Sequence, residues 1–127
     1  MATSPAFAVT PRIGAVSIAT ADSSYTAPTN VGTLITGAAT GTRIAELVVK
    51  CAATSAAAIV RVFLYDGTTY WLFDEVTVAA ATGSSTVQQT RVSTTYTNLI
   101  LPSASWSVRV TTSVAQATHV TAFGADL

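Results

Sequence analysis

Along Trp106-Ser107-Val108-Arg109-Val110-Thr111-Thr112-Ser113-Val114 the even positions are mostly apolar and the odd positions are all polar. A period of two belongs to a strand with one buried and one wet face, so Trp106, Val108, Val110 and Val114 are expected in the core. Similar short runs of β-forming residues recur along the chain. They predict strands over Phe7–Thr10, Ile13–Thr20, Gly32–Thr36, Arg43–Ala52, Ala58–Tyr65, Tyr70–Val78, Thr86–Ser93, Asn98–Leu101, Ser105–Val114 and Thr118–Phe123. The breaks fall at Pro11, Pro28-Thr29-Asn30, Gly37–Gly41, Asp66-Gly67, Gly83-Ser84-Ser85 and Pro102-Ser103. Turn signals about ten residues apart are the spacing of a sandwich or barrel. The pattern therefore predicts an all-β, antiparallel two-sheet β-sandwich of about eight to ten short strands, with a jelly roll as one form it can take. Residues 13–127 are read as this single domain and residues 1–12 as an N-terminal arm or edge strand, since Pro5 and Pro11 bracket the alternating Phe7 and Val9.

One hairpin departs from simple alternation. Ile59–Tyr65 and Tyr70–Phe73 flank Asp66-Gly67, a pair that favours a type I′ turn with positive φ at both central residues. With a two- or four-residue loop, Val60, Val62, Leu64, Trp71 and Phe73 share one face, and Ile59, Phe63, Tyr65, Tyr70 and Leu72 share the other, with Arg61 across from Asp74. Both faces are largely apolar, and five large apolar residues left in water would approach the biggest patch a soluble monomer usually shows. The cover is either another part of the same chain or another subunit. Phe63, Tyr65, Tyr70 and Leu72 are thus the candidate interface residues of a homo-oligomer, with Phe7 and Val9 as candidates on an arm that adds to a neighbour's sheet edge.

Composition favours the subunit. Only 9% of the residues are charged, six basic against six acidic, while Ala and Thr number 23 each and Lys50 is the single lysine. An average domain carries about 25% charged residues, and obligate interfaces shed them. Zero net charge, with arginines scattered singly, argues against nucleic acid or an anionic membrane as partner. The longest uncharged run, Ser23–Thr42, contains Pro28, Asn30, three Gly and six Thr, which no spanning helix would hold.

Parts for chemistry are missing. His119 is the only histidine and sits in an ordinary strand context, with no Gly-x-Ser-x-Gly elbow anywhere. The one carboxylate pair, Asp74-Glu75, points to opposite faces of a strand and cannot converge. Cys51 is alone, so neither a disulfide nor a thiol metal cluster is expected, and no phosphate loop or acidic calcium loop occurs. No enzymatic activity, cofactor or metal is expected. Tyr25, Tyr65, Tyr70, Tyr96 and the two tryptophans keep open a glycan- or receptor-binding module, because such rings supply stacking faces.

Four stretches add a likeness: Gly41-Thr42-Arg43-Ile44, Phe63-Leu64-Tyr65-Asp66-Gly67-Thr68, Leu99-Ile100-Leu101-Pro102 before Trp106-Ser107-Val108-Arg109-Val110, and the ending Val120–Leu127. From about Arg43 onward the chain resembles small structural proteins of tailed-bacteriophage virions. The resemblance implies a head-decoration (cement) β-sandwich, trimeric, made in the bacterial host cytoplasm, that clamps neighbouring copies of the major capsid protein in the virion. The first forty residues carry none of it.

Overall fold

The computed structural model describes residues 10–127, which form eight strands and no helix. The strands are β1 (Thr10–Ile18), β2 (Gly32–Thr36), β3 (Thr42–Cys51), β4 (Ala58–Tyr65), β5 (Tyr70–Val78), β6 (Arg91–Leu101), β7 (Ser107–Thr112) and β8 (Thr118–Asp126). They make two four-stranded sheets, in the orders β1-β8-β3-β6 and β2-β7-β4-β5, and every ladder between named strands is antiparallel. β1 pairs with β8, β2 with β7, β3 with β6 and β4 with β5. The chain thus runs as a ribbon doubled back at the β4–β5 hairpin and rolled across both sheets, a β-sandwich as the alternation predicts.

Valine and leucine at every second position fill the space between the sheets. Leu47, Val49, Val60, Val62, Val108, Val110 and Val120 are all buried there, and Trp106 and Val114 pack against them from the rim. Cys51 lies in the same layer as a small apolar group. At one end Asp126 binds β1, β3 and β8 together: its Oδ1 accepts from Arg12 Nη1 and from Thr42 Oγ1, each at 2.8 Å. Arg12 also donates to the Thr36 carbonyl, which ties this corner to the other sheet.

Two expected breaks are absent. Pro11 does not interrupt β1, because β1 is an edge strand with a ladder on one side only, where a missing N–H costs no pairing. Thr94-Thr95-Tyr96-Thr97 joins the expected Thr86–Ser93 and Asn98–Leu101 segments into one β6, while residues 86–90 form a loop. Where the chain departs from strict alternation, a bulge is the cause. One at Leu34 turns Leu34 and Ile35 inward together, and one at Ala45 shifts β3 against β8. Gly124 sits beside the second bulge, where a Cβ would collide with the Arg43 carbonyl oxygen.

Candidate interaction surface

The surface grows from the β4–β5 hairpin. Its loop is Asp66-Gly67-Thr68-Thr69, four residues long. Gly67 has φ +99°, but no residue other than glycine has positive φ among the described residues, so the type I′ turn expected at Asp66-Gly67 does not form. Asp66 instead makes an Asx turn: Oδ1 accepts from the Thr68 and Thr69 amides at 2.8 and 2.7 Å, and Oδ2 accepts from the Trp71 indole at 3.2 Å. These donors, the Thr69 amide foremost, hold the Asp66 carboxyl below its ordinary 3.8.

Tyr65 faces Tyr70, Leu64 faces Trp71 and Phe63 faces Leu72; one step further, Val62 faces Asp74. Phe73 is the extra residue of a bulge. Beyond it every β5 residue is displaced by one, so Arg61 meets Glu75 and not Asp74, with Nε to Oε1 at 3.0 Å. Asp74 turns to the sandwich rim and accepts from the Tyr96 hydroxyl at 2.9 Å, while the Phe73 and Tyr96 rings lie 5.4 Å apart. Burial first, and the neighbouring Asp74 second, push the Tyr96 hydroxyl far above its ordinary value of 10.

On the outer face of this sheet Phe63, Tyr65, Tyr70 and Leu72 do come together, as the alternation predicts. Their exposure differs from the expectation. Phe63 is 0% exposed, and its cover is its own chain. Tyr70 stands edge-on to it at 5.9 Å, and Arg109 is its partner on β7. Arg109 lies 4.2 Å over the Tyr65 ring and donates to the Tyr70 hydroxyl at 3.2 Å, with Tyr65 and Tyr70 themselves 4.3 Å apart. Next to it Arg61 is roofed by Tyr25, from the loop between β1 and β2, at 4.3 Å. Asp22 folds that loop back by accepting from the amides of Ser24, Thr29 and Asn30, the last of which does most to lower its carboxyl below 3.8. Phe63 is therefore corrected from a contact residue to a support beneath the tyrosines. Arg61 Nη1 and, across the ladder on β7, Thr111 Oγ1 are buried without a hydrogen-bond partner among the described residues.

The apolar surface that this hairpin leaves in water lies on β5, the edge strand of its sheet among the described residues. Trp71 is 54%, Leu72 39% and Phe73 42% exposed. Trp71 and Leu72 stay in regular register with Leu64 and Phe63, on opposite faces, and the bulge adds Phe73 beside them on the same edge strand. Trp71 and Phe73 were assigned to a shared face at the level of sequence, but a strand edge open to solvent was not a visible feature. Phe7 and Val9 lie outside the described residues. His119 is exposed on the outer face of the other sheet, between Ser17 on β1 and Lys50 on β3. Comparison of the sequence with models of known protein families and with characterised proteins finds no match.

Proposed function

We propose that the protein is a noncatalytic virion subunit that self-associates and decorates the outer surface of a phage capsid. The observation that carries this reading is the exposed run Trp71-Leu72-Phe73 on a strand that, among the described residues, has no ladder partner on one side. Such edges are normally blunted or covered, and an apolar one invites a protein partner. The adjoining Tyr65, Tyr70, Leu72 and Arg109 are of the kinds that anchor protein interfaces, with aromatic rings and arginine already held in place by one another. Phe63 supports them from below. The strand orders, with each strand of the first half paired to its mirror in the second, support a jelly roll, an architecture used by viral capsid and lectin domains.

A glycan-binding module is the second reading, favoured by the exposed Trp71 ring. It is the weaker one, because both oxygens of the acid beside that ring are engaged in the turn. Light scattering and co-sedimentation test the choice. An oligomer that pellets with purified capsids is expected; a 13.0 kDa monomer that stays in the supernatant would overturn the proposal.

A further inference from the structure

The formal charge is zero, but it is not evenly spread. On the outer face of the β1-β8-β3-β6 sheet Arg43, Lys50 and Arg91 stand against Glu46 alone, a surplus of two positive charges. On the other sheet and the loop laid over it, Arg61 and Arg109 stand against Asp22, Asp66, Asp74 and Glu75, a surplus of two negative charges. Arg12 and Asp126 neutralise each other at the corner between.

The positive side has a specific pattern. His119, Lys50 and Arg91 are direct neighbours across β8, β3 and β6. Like charges directly opposite each other in a sheet are destabilising, yet neither Lys50 nor Arg91 belongs to an ion pair among the described residues. Four residues along β3, level with Glu46, the same face becomes apolar: Ile13 is 65% and Phe123 40% exposed, and they are direct partners. At about 3.3 Å per residue, cations and apolar pair are about 13 Å apart. The edge of β5 carries a complementary arrangement: Glu75 lies two to four residues from Phe73, Leu72 and Trp71, a span of about 7–13 Å.

We propose that copies of this chain associate head to tail, the β5 edge of one lying on the outer face of the β1-β8-β3-β6 sheet of the next. Glu75, whose side chain is partly exposed beside Arg61, then meets Lys50 and Arg91, and the Trp71–Phe73 run meets Ile13 and Phe123. This deepens the self-association reading and rests on it. A contact of either surface with its own copy would set cation against cation or acid against acid, so charge selects the heterologous arrangement, which closes into a ring when its rotation permits.

The test is complementation between two damaged chains, followed by light scattering. Lys50→Glu with Arg91→Glu removes the acceptor face, and Trp71→Ser with Leu72→Ser removes the edge. Each is expected to weaken its own assembly by at least about tenfold. Mixing them is expected to yield a 1:1 complex of twice the 13.0 kDa chain mass, since each keeps the half the other lacks. If wild type assembles but the mixture stays monomeric, the head-to-tail contact is wrong and self-association stands. If wild type is itself monomeric, both fail. Circular dichroism checks that the variants fold; should one not, the wild-type assembly is followed in salt, where the screening length shrinks from about 10 Å at 0.1 M to about 3 Å at 1 M. A smaller assembly at high salt is expected, and an unchanged one overturns the charge pairing.

Discussion

Phe63 tests whether the hairpin's outer face is sealed by its own chain. It is fully buried, yet it lies outside the layer between the sheets, under Tyr70, Arg109 and the Tyr65 ring stacked on that arginine. If these side chains seal it in the isolated molecule, Phe63→Ala removes a whole buried ring and leaves a cavity. Burying such a side chain contributes about 1.5–3 kcal/mol. The lost edge-to-face pair with Tyr70 adds about 0.5–1.5 kcal/mol, so about 2–4.5 kcal/mol is expected from these two contributions, and the cavity left behind brings the total to the about 3–5 kcal/mol of Phe→Ala changes in cores. Leu72→Ala, opposite it but 39% exposed, is expected to cost under about 1.5 kcal/mol, less than its fully buried counterpart. Urea unfolding followed by tryptophan fluorescence measures both, at two protein concentrations tenfold apart. A Phe63→Ala cost below about 1 kcal/mol, typical of a surface site, would refute the self-cover. So would a cost that appears only at the higher concentration, because a partner would then be the cover.

Four further outcomes follow from single contacts. Gly124→Ala places a Cβ on the Arg43 carbonyl and is expected to lower stability by about 1–3 kcal/mol, the cost of overpacking; an unchanged thermal midpoint would contradict the close approach. Thr111→Val removes a buried hydroxyl that has no partner, so stability measured in urea is expected to hold or rise by about 1 kcal/mol, and a loss would reveal a partner. Asp66 has a lowered carboxyl, so its extra stability is complete above its ordinary 3.8 and is lost as pH falls through the folded value; the wild-type lead over Asp66→Asn in urea midpoint should shrink below that pH, and a constant lead would refute the Asx turn's charge preference. Tyr96 has a raised hydroxyl, so the stability it gives is present below 10 and lost as pH rises beyond it; Tyr96→Phe should flatten the alkaline decline, and an unaltered slope would place that decline elsewhere.

The features legible in the sequence are those that depend on period and local turn chemistry. Val108 and Val110 alternate with Ser107, Arg109 and Thr111, and that suffices to put them between the sheets. Asp66-Gly67 marks the bend even though its type differs, because an aspartate can cap its own turn with negative φ as readily as it can enter a type I′ turn. Pro11 misleads because a proline's meaning depends on whether its strand is central or at an edge, and edge position is settled by β8, more than a hundred residues away. The roof of Tyr25 over Arg61 has the same long-range origin. The cover of Phe63 was open to both readings for the same reason, and Arg109, on β7, decided it.

Bulges account for the remaining differences, and they also determine what the molecule displays. A bulge inserts one residue without altering composition or hydrophobic count, so no periodic reading detects it, yet it exchanges the facing of everything beyond it. At Phe73 this has three consequences. Glu75 comes to Arg61, which keeps a buried guanidinium paired; Asp74 comes to Tyr96, which closes the rim between the sheets; and Phe73 is added, exposed, beside Trp71 and Leu72 on the edge strand. Paired in regular register, with Phe73 opposite Val62, Arg61 would face Asp74, and Glu75 would turn toward the rim in its place. Deleting Phe73 would instead remove the bulge and leave Val62 opposite Asp74 and Arg61 opposite Glu75, so both carboxylate contacts should survive the deletion, as they should survive Phe73→Ala. The placing of the acids thus depends on one local irregularity, and the surface best suited to a partner adjoins the place where simple alternation fails.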